Sequence, residues 1–335
     1  MSWKRRVRGA LDGVAQAAGV LRALEATRGA GPLVLMHHRV LPRERCAAYP
    51  FASLALPTEL FDAQVAWLAE RFELRTLSAA FDGAAPADRP VVALTFDDGY
   101  DDNYALAAPI LERHGARGTF FVAANFVAGR AALWYDRAAV ALAALGDAQL
   151  ASAAQQLCGS SPRSSGDAVA ACVEALKRLD GGARDQAIAG WESRTGARAG
   201  EGFAAMTPEQ VRELSARGHE IGGHSLSHAL LPQCDDEQLA RELEDARAEL
   251  ATWCGRSIES LAYPDGAHDE RVVAAARRAG YRWACTTAPP ARGASAEALR
   301  IGRIDITAAR ISSRDGAFDP LALRAELAGF HEVLR

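Results

Sequence analysis

Asp97 and Asp98 stand side by side at the end of an apolar run, Val91-Val92-Ala93-Leu94-Thr95-Phe96, just ahead of Gly99. Two adjacent carboxylates are costly there unless a metal, a partner charge or a proton-transfer task accounts for them. His224 and His228, four apart and just after Gly222-Gly223, supply candidate partners. Two imidazoles and an acid from another strand make a three-ligand set for a catalytic divalent metal, with a position left for water. Each signal alone is weak, since Asp-Gly also marks turns and histidine pairs occur on surfaces and in cores. Their joint placement at strand ends carries the reading.

The elements that must position these groups alternate between β and α. Strands are expected at Leu33–His37, Val91–Phe96, Gly118–Ala123, Glu220–Gly223, Ile258–Tyr263, Trp283–Thr287 and Arg300–Ile306. Helices are expected from Pro57 towards Arg71, from Tyr104 to His114, from Asp235 to Cys254 and from Glu270 to Ala279, which Gly280 stops. Another opens at Thr207-Pro208, a Thr cap followed by Pro at the first helical position. This repetition favours a parallel sheet, open or closed into a barrel.

From about residue 133 to 202 the rhythm gives way to helical sequence rich in Ala, Gln, Ser and Arg. It is expected as a helical insertion on the rim, either walling a substrate cleft or packing as an embellishment. Over residues 1–30, Val7, Leu11, Val14, Ala18 and Leu21 recur at helical spacing behind Trp3-Lys4-Arg5-Arg6. An N-terminal amphipathic helix is expected there, ahead of a main domain over 31–335. Two roles are open for it: packing on its own domain, or peripheral membrane contact with Trp3 and the arginines at the headgroups.

A hydrophobic content of 49% beside 24% charged residues suits a globular chain. A net charge of -4 supplies no basic field, which argues against nucleic acid as a partner. The six cysteines are scattered, suiting neither a disulfide framework nor a Cys-type zinc site, and fit reduced thiols in a cytoplasm. No run reaches the roughly 18–20 apolar residues needed to span a bilayer, and Asp12, Arg22 and Glu25 interrupt the N-terminal segment, so no cleaved signal peptide is expected. A cytoplasmic location, peripheral at the inner membrane, is the resulting expectation.

Thr95-Phe96-Asp97-Asp98-Gly99 and His224-Ser225-Leu226-Ser227-His228 resemble the first two motifs of the polysaccharide deacetylase (NodB homology) family of carbohydrate esterases. Leu35-Met36-His37-His38-Arg39-Val40 resembles the first-strand signature of a bacterial envelope-polysaccharide branch. Gly118-Thr119-Phe120-Phe121-Val122 resembles the next strand, and Gly218-His219-Glu220-Ile221-Gly222 the approach to the histidine motif. The resemblance spans roughly residues 31 to 306, interrupted by the insertion. It implies an α/β fold, a distorted (β/α) barrel with its site at the C-terminal ends of the strands. It further implies Asp98, His224 and His228 as metal ligands and Asp97 as the general base. Zn²⁺ is the first choice of ion, and Fe²⁺, Co²⁺ or Ni²⁺ would accept the same donors. The chemistry agrees, because such an ion polarises an amide carbonyl and acidifies bound water, leaving Asp97 to take the proton.

The third motif departs from the family's Arg-x-Pro-aromatic-Gly, reading Ala262-Tyr263-Pro264-Asp265-Gly266. The resemblance implies an oxyanion donor at the backbone N–H of Asp265, with Tyr263 and Pro264 at the substrate. Arg303 is expected to stand in for the missing arginine. The family's late histidine has no clear counterpart; His268 is a candidate for the acid and for substrate contact, unless Asp97 returns the proton itself. His38 either lines the cleft or packs in the core. Ser225 either orients its neighbours by a hydrogen bond or caps a helix, while His114, His219 and His331 read as structural or solvated.

The function expected is a metal-dependent N-deacetylase. Its substrate would be an N-acetylated amino sugar such as N-acetylglucosamine, in an envelope or extracellular polysaccharide or in a lipid-linked or nucleotide precursor. Two alternatives stand: an O-deacetylase or deformylase using the same residues, and a catalytically silent carbohydrate-binding barrel.

Overall fold

Among the described residues, five parallel ladders link six of the seven expected strands, and the seventh, late segment joins the two ends of the sheet. The computed structural model describes residues 3–27, 31–83, 88–159, 164–291 and 297–333. Its strands are β1 (Leu33–His37), β2 (Arg39–Leu41), β3 (Ala55–Pro57), β4 (Glu73–Arg75), β5 (Val91–Phe96), β6 (Thr119–Val122), β7 (Glu220–Gly223), β8 (Ser260–Ala262), β9 (Trp283–Cys285) and β10 (Ile304–Asp305). The main sheet runs β10-β1-β5-β6-β7-β8-β9, with β4 beside β5. Beyond β9 the chain turns back along it: the Ile301 N–H donates to Ala284 O, Ile301 O accepts from Thr286, and the Arg303 N–H donates to Ala288 O. The same segment then pairs with β1 as β10, Leu35 opposite Ile304. Arg303 therefore sits where the distorted (β/α) barrel closes.

Parallel strands are covered on both faces, so neither face can be polar along its length. Along the strands, Val34, Ala93, Phe121, Ala262, Cys285 and Ile301 gather in one buried cluster. Their neighbours Leu35, Leu94, Phe96, Phe120, Ile221 and Leu261 pack with helix residues such as Phe61, Leu111, Leu214 and Leu250. This period of two puts Ala93, Thr95 and Asp97 on the inner side of β5 and its continuation. Because His37 pairs with Phe96, β1 and β5 end level with each other.

Several elements differ from expectation. β2, β3 and β4, three residues each, are too short to show periodicity in sequence. The expected strand Arg300–Ile306 is split between the Ile301 bridge and β10. The helix expected from Tyr104 begins with a π turn, Asn103–Ala107, before Ala108–Arg113, whose Pro109 cannot donate a regular backbone bond. A second π turn, Arg241–Asp245, interrupts the long helix between Asp236 and Cys254.

The N-terminal segment is two helices, Trp3–Ala17 and Val20–Thr27, broken where Gly19 takes φ 73°. The first docks on the domain, one of its two expected roles, but through Arg8, Asp12 and Ala15. Arg8 pairs with Glu326, and Asp12, 2% exposed, lies 3.0 Å from His331. Leu11 and Val14 are 42% and 67% exposed, whereas Leu21 of the same stripe is buried with Ala15, Ala325, Ala328 and Phe330, so the stripe packs on the domain only in part. The side chains of Trp3, Lys4, Arg5, Arg6 and Val7 lie outside the described residues. No helix among the described residues is long and apolar enough to cross a membrane.

Among the described residues of 133–202 four α-helices follow one another, Trp134–Ala143, Asp147–Cys158, Ser165–Leu176 and Gly181–Thr195. Their apolar residues, Leu142, Leu150, Val169, Leu176, Ile188 and Trp191 among them, form one cluster with Tyr100, Ala123 and Phe126 of the barrel.

Candidate active site

Asp97 continues the inward side of β5, its N–H donating to His37 O at 3.0 Å. The next residue turns the chain: Asp98 has φ 81° and Gly99 φ 96°. In regular strand geometry Asp98 would face the outer helices, so this turn is what brings both carboxylates to one end of the barrel. Among the described residues four non-glycines have positive φ, namely Asp98, Ser225, His228 and Asp265, and all four belong to the three motifs. Each such conformation costs about 1–3 kcal/mol, so the packing around the site must hold them.

Arg303 meets Asp97 as a fork, Nη1 to Oδ1 and Nη2 to Oδ2, both at 2.7 Å. Nη1 also reaches Thr95 Oγ1 at 3.1 Å, and Nε donates to Thr286 O at 2.9 Å. Burial alone would push the Asp97 carboxyl up, but the guanidinium holds it below the usual carboxylate range. The arginine expected from a late strand is thus in contact with the base expected from β5.

His224 leaves β7 with its N–H on Val122 O, and its Nδ1 faces Ala262 O at 2.7 Å. That contact fixes the tautomer with Nδ1–H donating and the Nε2 lone pair facing Asp98 Oδ1, 3.4 Å away. His228 Nε2 is 3.3 Å from the same oxygen, while its Nδ1 is buried without a partner. The two glycines ahead of His224 are required by crowding. A Cβ on Gly222 would come within 2.5 Å of the Phe121 ring, and one on Gly223 within 2.5 Å of the Tyr281 hydroxyl.

The three ligand atoms all lie within 4.8 Å of one another. Donors about 2.1 Å from a tetrahedral ion stand roughly 3.4 Å apart, close to the 3.4 and 3.3 Å between Asp98 Oδ1 and the two Nε2 atoms, so the donor set suits a divalent metal. Against the pull of burial, the imidazoles hold Asp98 well below the usual carboxylate range. Burial lowers His228, whereas Asp98 and Asp97 lift His224 in spite of it.

A cavity of about 370 Å³ opens over these groups. Asp97, Asp98, His224 and His228 form its floor; His38, Phe51, Leu54, Trp134, Tyr135, Val173, Lys177 and Asp265 are among its walls. His38 lines it, with Nε2 3.9 Å from Asp97 Oδ2. The insertion therefore walls the cavity, and Lys177 ties it to the third motif by a 2.7 Å bond to Asp265. A wider recess of about 610 Å³ lies at the opposite strand ends, where Glu220 is already held by Ser78, Thr119 and Ser260.

Three residues expected at the substrate do not line the cavity. Tyr263 is buried, its hydroxyl donating to Leu299 O at 3.0 Å. Its ring stacks on His268 at 5.1 Å, and the His268 Nδ1 contacts Gly266 O at 2.8 Å. Pro264 is buried beside them. These side chains brace the Asp265 turn. Ser225 neither caps a helix nor orients a ligand, since its buried hydroxyl has no partner. Sequence reasoning also missed Tyr135, which donates to Asp98 Oδ2 at 2.8 Å, and the Tyr100 and Asp136 groups behind it.

A sequence profile for polysaccharide deacetylases matches residues 84–154 and 168–284, more than half of the chain. The chain belongs to the polysaccharide deacetylase family. The protein named "Putative polysaccharide deacetylase YxkH" of Bacillus subtilis (strain 168) is 20% identical over 270 residues, 79% of this chain and 71% of that protein. The Streptococcus pyogenes deacetylase PplD, solved with acetate, is similar in structure with a TM-score of 0.54 and 21% identity, over 84% of this chain and 93% of that one. IcaB from Ammonifex degensii gives 0.53 and 20%, over 90% and 97%. At these identities the structural likeness speaks for the fold, the distorted barrel of the family.

Proposed function

We propose that this family member is a metal-dependent hydrolase removing the N-acetyl group from an amino sugar, in a bacterial envelope or extracellular polysaccharide or in its lipid-linked or nucleotide precursor. The observation that carries this reading is the division between adjacent aspartates. Asp98 faces two imidazole Nε2 atoms, while Asp97 faces Arg303 and the open cavity.

Asp98, His224 and His228 would hold the ion, Zn²⁺ by the donor set with Fe²⁺, Co²⁺ or Ni²⁺ also compatible, and it would supply a Lewis acid for the acyl oxygen and a more acidic water. Asp97, kept ionised and aimed by Arg303, takes the proton from water as it attacks the acyl carbon. The departing amine needs a proton in turn. Asp97 can return it, and His38, 3.9 Å away and open to the cavity, is the other group within reach. The backbone N–H of Asp265 is the donor for the oxyanion, a role that needs no particular side chain. Phe51, Leu54, Trp134 and Val173 offer apolar surface to a sugar ring.

The test is acetate release from defined N-acetylated oligosaccharides. Asp97→Asn should lower turnover by about 10²–10⁴-fold and leave sugar binding in place. Equal turnover in variant and wild type refutes Asp97 as the base. Formate or ester-derived acetate as the preferred product would move the assignment to a deformylase or O-deacetylase; sugar binding with no turnover in the wild type favours the silent barrel.

The N-terminal helices support a second, separate proposal of peripheral membrane contact at an inner membrane face. Leu11 and Val14 are exposed, and Lys4, Arg5 and Arg6 precede them in sequence, a combination suited to anionic lipid.

A further inference from the structure

The helical insertion reaches the proposed metal ligands through one hydroxyl. Tyr135, the second residue of the Trp134–Ala143 helix, is 8% exposed and donates to Asp98 Oδ2 at 2.8 Å. Its ring also meets that of His228 edge-on, with centroids 5.3 Å apart. The two oxygens of Asp98 thus have separate tasks, Oδ1 facing both Nε2 atoms and Oδ2 held by Tyr135. A carboxylate that binds through one oxygen keeps its orientation only if the other is held.

Behind Tyr135 lies a buried chain of oxygens. The Tyr135 and Tyr100 hydroxyls are 2.8 Å apart, and Tyr100 lies 2.6 Å from Asp136 Oδ2. Tyr49 lies 3.3 Å from Asp136 Oδ1 and 3.2 Å from Tyr100. Each tyrosine brings a single proton. With Asp136 ionised, Tyr49 and Tyr100 point theirs at it and Tyr135 points its own at Asp98. The 2.8 Å contact between Tyr100 and Tyr135 then has no proton in it. With Asp136 protonated, four of the five contacts hold a proton: Asp136 donates to Tyr100, Tyr100 to Tyr135, Tyr135 to Asp98, and Tyr49 to the other oxygen of Asp136, leaving only the 3.2 Å Tyr49–Tyr100 contact without one. Burial, working against the Tyr100 hydrogen bond, pushes the Asp136 carboxyl up to about 7, the same direction.

We propose that Tyr135 is a positioning residue for Asp98, oriented by a relay that starts at a neutral Asp136 carboxyl, so that the insertion completes the metal site. This rests on the reading of Asp98, His224 and His228 as ligands.

Calorimetric titration of chelator-stripped protein with Zn²⁺ tests it, alongside melting of the metal-free variants. Tyr135→Phe should bind about 10-fold more weakly than wild type. Asp136→Asn, whose amide still donates to Tyr100 and accepts from Tyr49, should bind like wild type. A purely structural role for Tyr135 would lower the metal-free melting temperature and leave Zn²⁺ affinity alone, which overturns the proposal. Asp136→Asn as weak as Tyr135→Phe overturns the relay. No Zn²⁺ binding by wild type removes the metal reading and this inference together, whereas wild-type binding matched by Tyr135→Phe removes this inference alone.

Discussion

Arg303→Ala removes the main counter-charge of the proposed base. Arg303 is 1% exposed and directs both Nη atoms at Asp97 at 2.7 Å. Breaking one side of a buried pair costs about 3–5 kcal/mol of stability. The carboxyl that remains is one that burial already pushes upward, with Arg303 the foremost influence holding it down. Its pKa should therefore rise, and the acid limb of the pH–rate profile should move to higher pH. The sign follows from linkage. A depressed folded pKa contributes stability above the ordinary value of 3.8 that is lost on acidification, and the variant forfeits it at neutral pH. A carboxylate no longer aimed by the fork should also lose about 10²-fold in kcat. Arg303→Lys keeps a charge without the fork, so its limb should stay near wild type while kcat still falls. Acetate release from pH 5 to 9 reads both effects. Wild-type turnover with an unmoved limb in Arg303→Ala refutes the reasoning; if that variant does not fold, an undiminished kcat in Arg303→Lys does the same.

Asp136 gives the opposite pH dependence in metal-free protein. Its folded pKa of about 7 exceeds the ordinary 3.8, so its contribution to stability is complete below about pH 4 and is lost as pH rises towards 7. The span is worth roughly 4 kcal/mol. Urea midpoints should fall across that window in wild type and stay flatter in Asp136→Asn; parallel curves would contradict this. For the membrane, Leu11→Asp with Val14→Asp should abolish co-flotation with phosphatidylglycerol vesicles, while neutral phosphatidylcholine vesicles recruit neither protein. Unchanged flotation of the double variant would end the proposal.

Much of the floor of the site was legible in sequence because its residue types are rare at strand ends. Asp97, Asp98, His224 and His228 have few structural reasons to be there, and the arginine missing before Tyr263 made Arg303 worth seeking on a late strand. Tyr135, Tyr100 and Asp136 were not legible. Their contact with Asp98 depends on how the insertion docks on the barrel, and nothing in their local spacing encodes that. Tyr263 and His268 misled for a related reason, since adjacency to a motif does not say whether a side chain faces the cavity or braces the turn. The N-terminal stripe was legible only in part, Leu21 being buried against Ala325, Ala328 and Phe330 while Leu11 and Val14 stay exposed. An apolar stripe is normally the buried one, but here Arg8 and Asp12 find Glu326 and His331 at the far end of the chain. The π turns at Asn103–Ala107 and Arg241–Asp245 likewise add a residue without changing the helical character of the sequence.

Anomalous diffraction at the zinc edge from Zn²⁺-loaded crystals addresses the account most directly. One peak is expected within bonding distance of Asp98 Oδ1, His224 Nε2 and His228 Nε2, with Asp97 off the ion and still forked to Arg303. A peak elsewhere, or Asp97 drawn into coordination and away from Arg303, would contradict the division of the two aspartates on which the proposed chemistry stands.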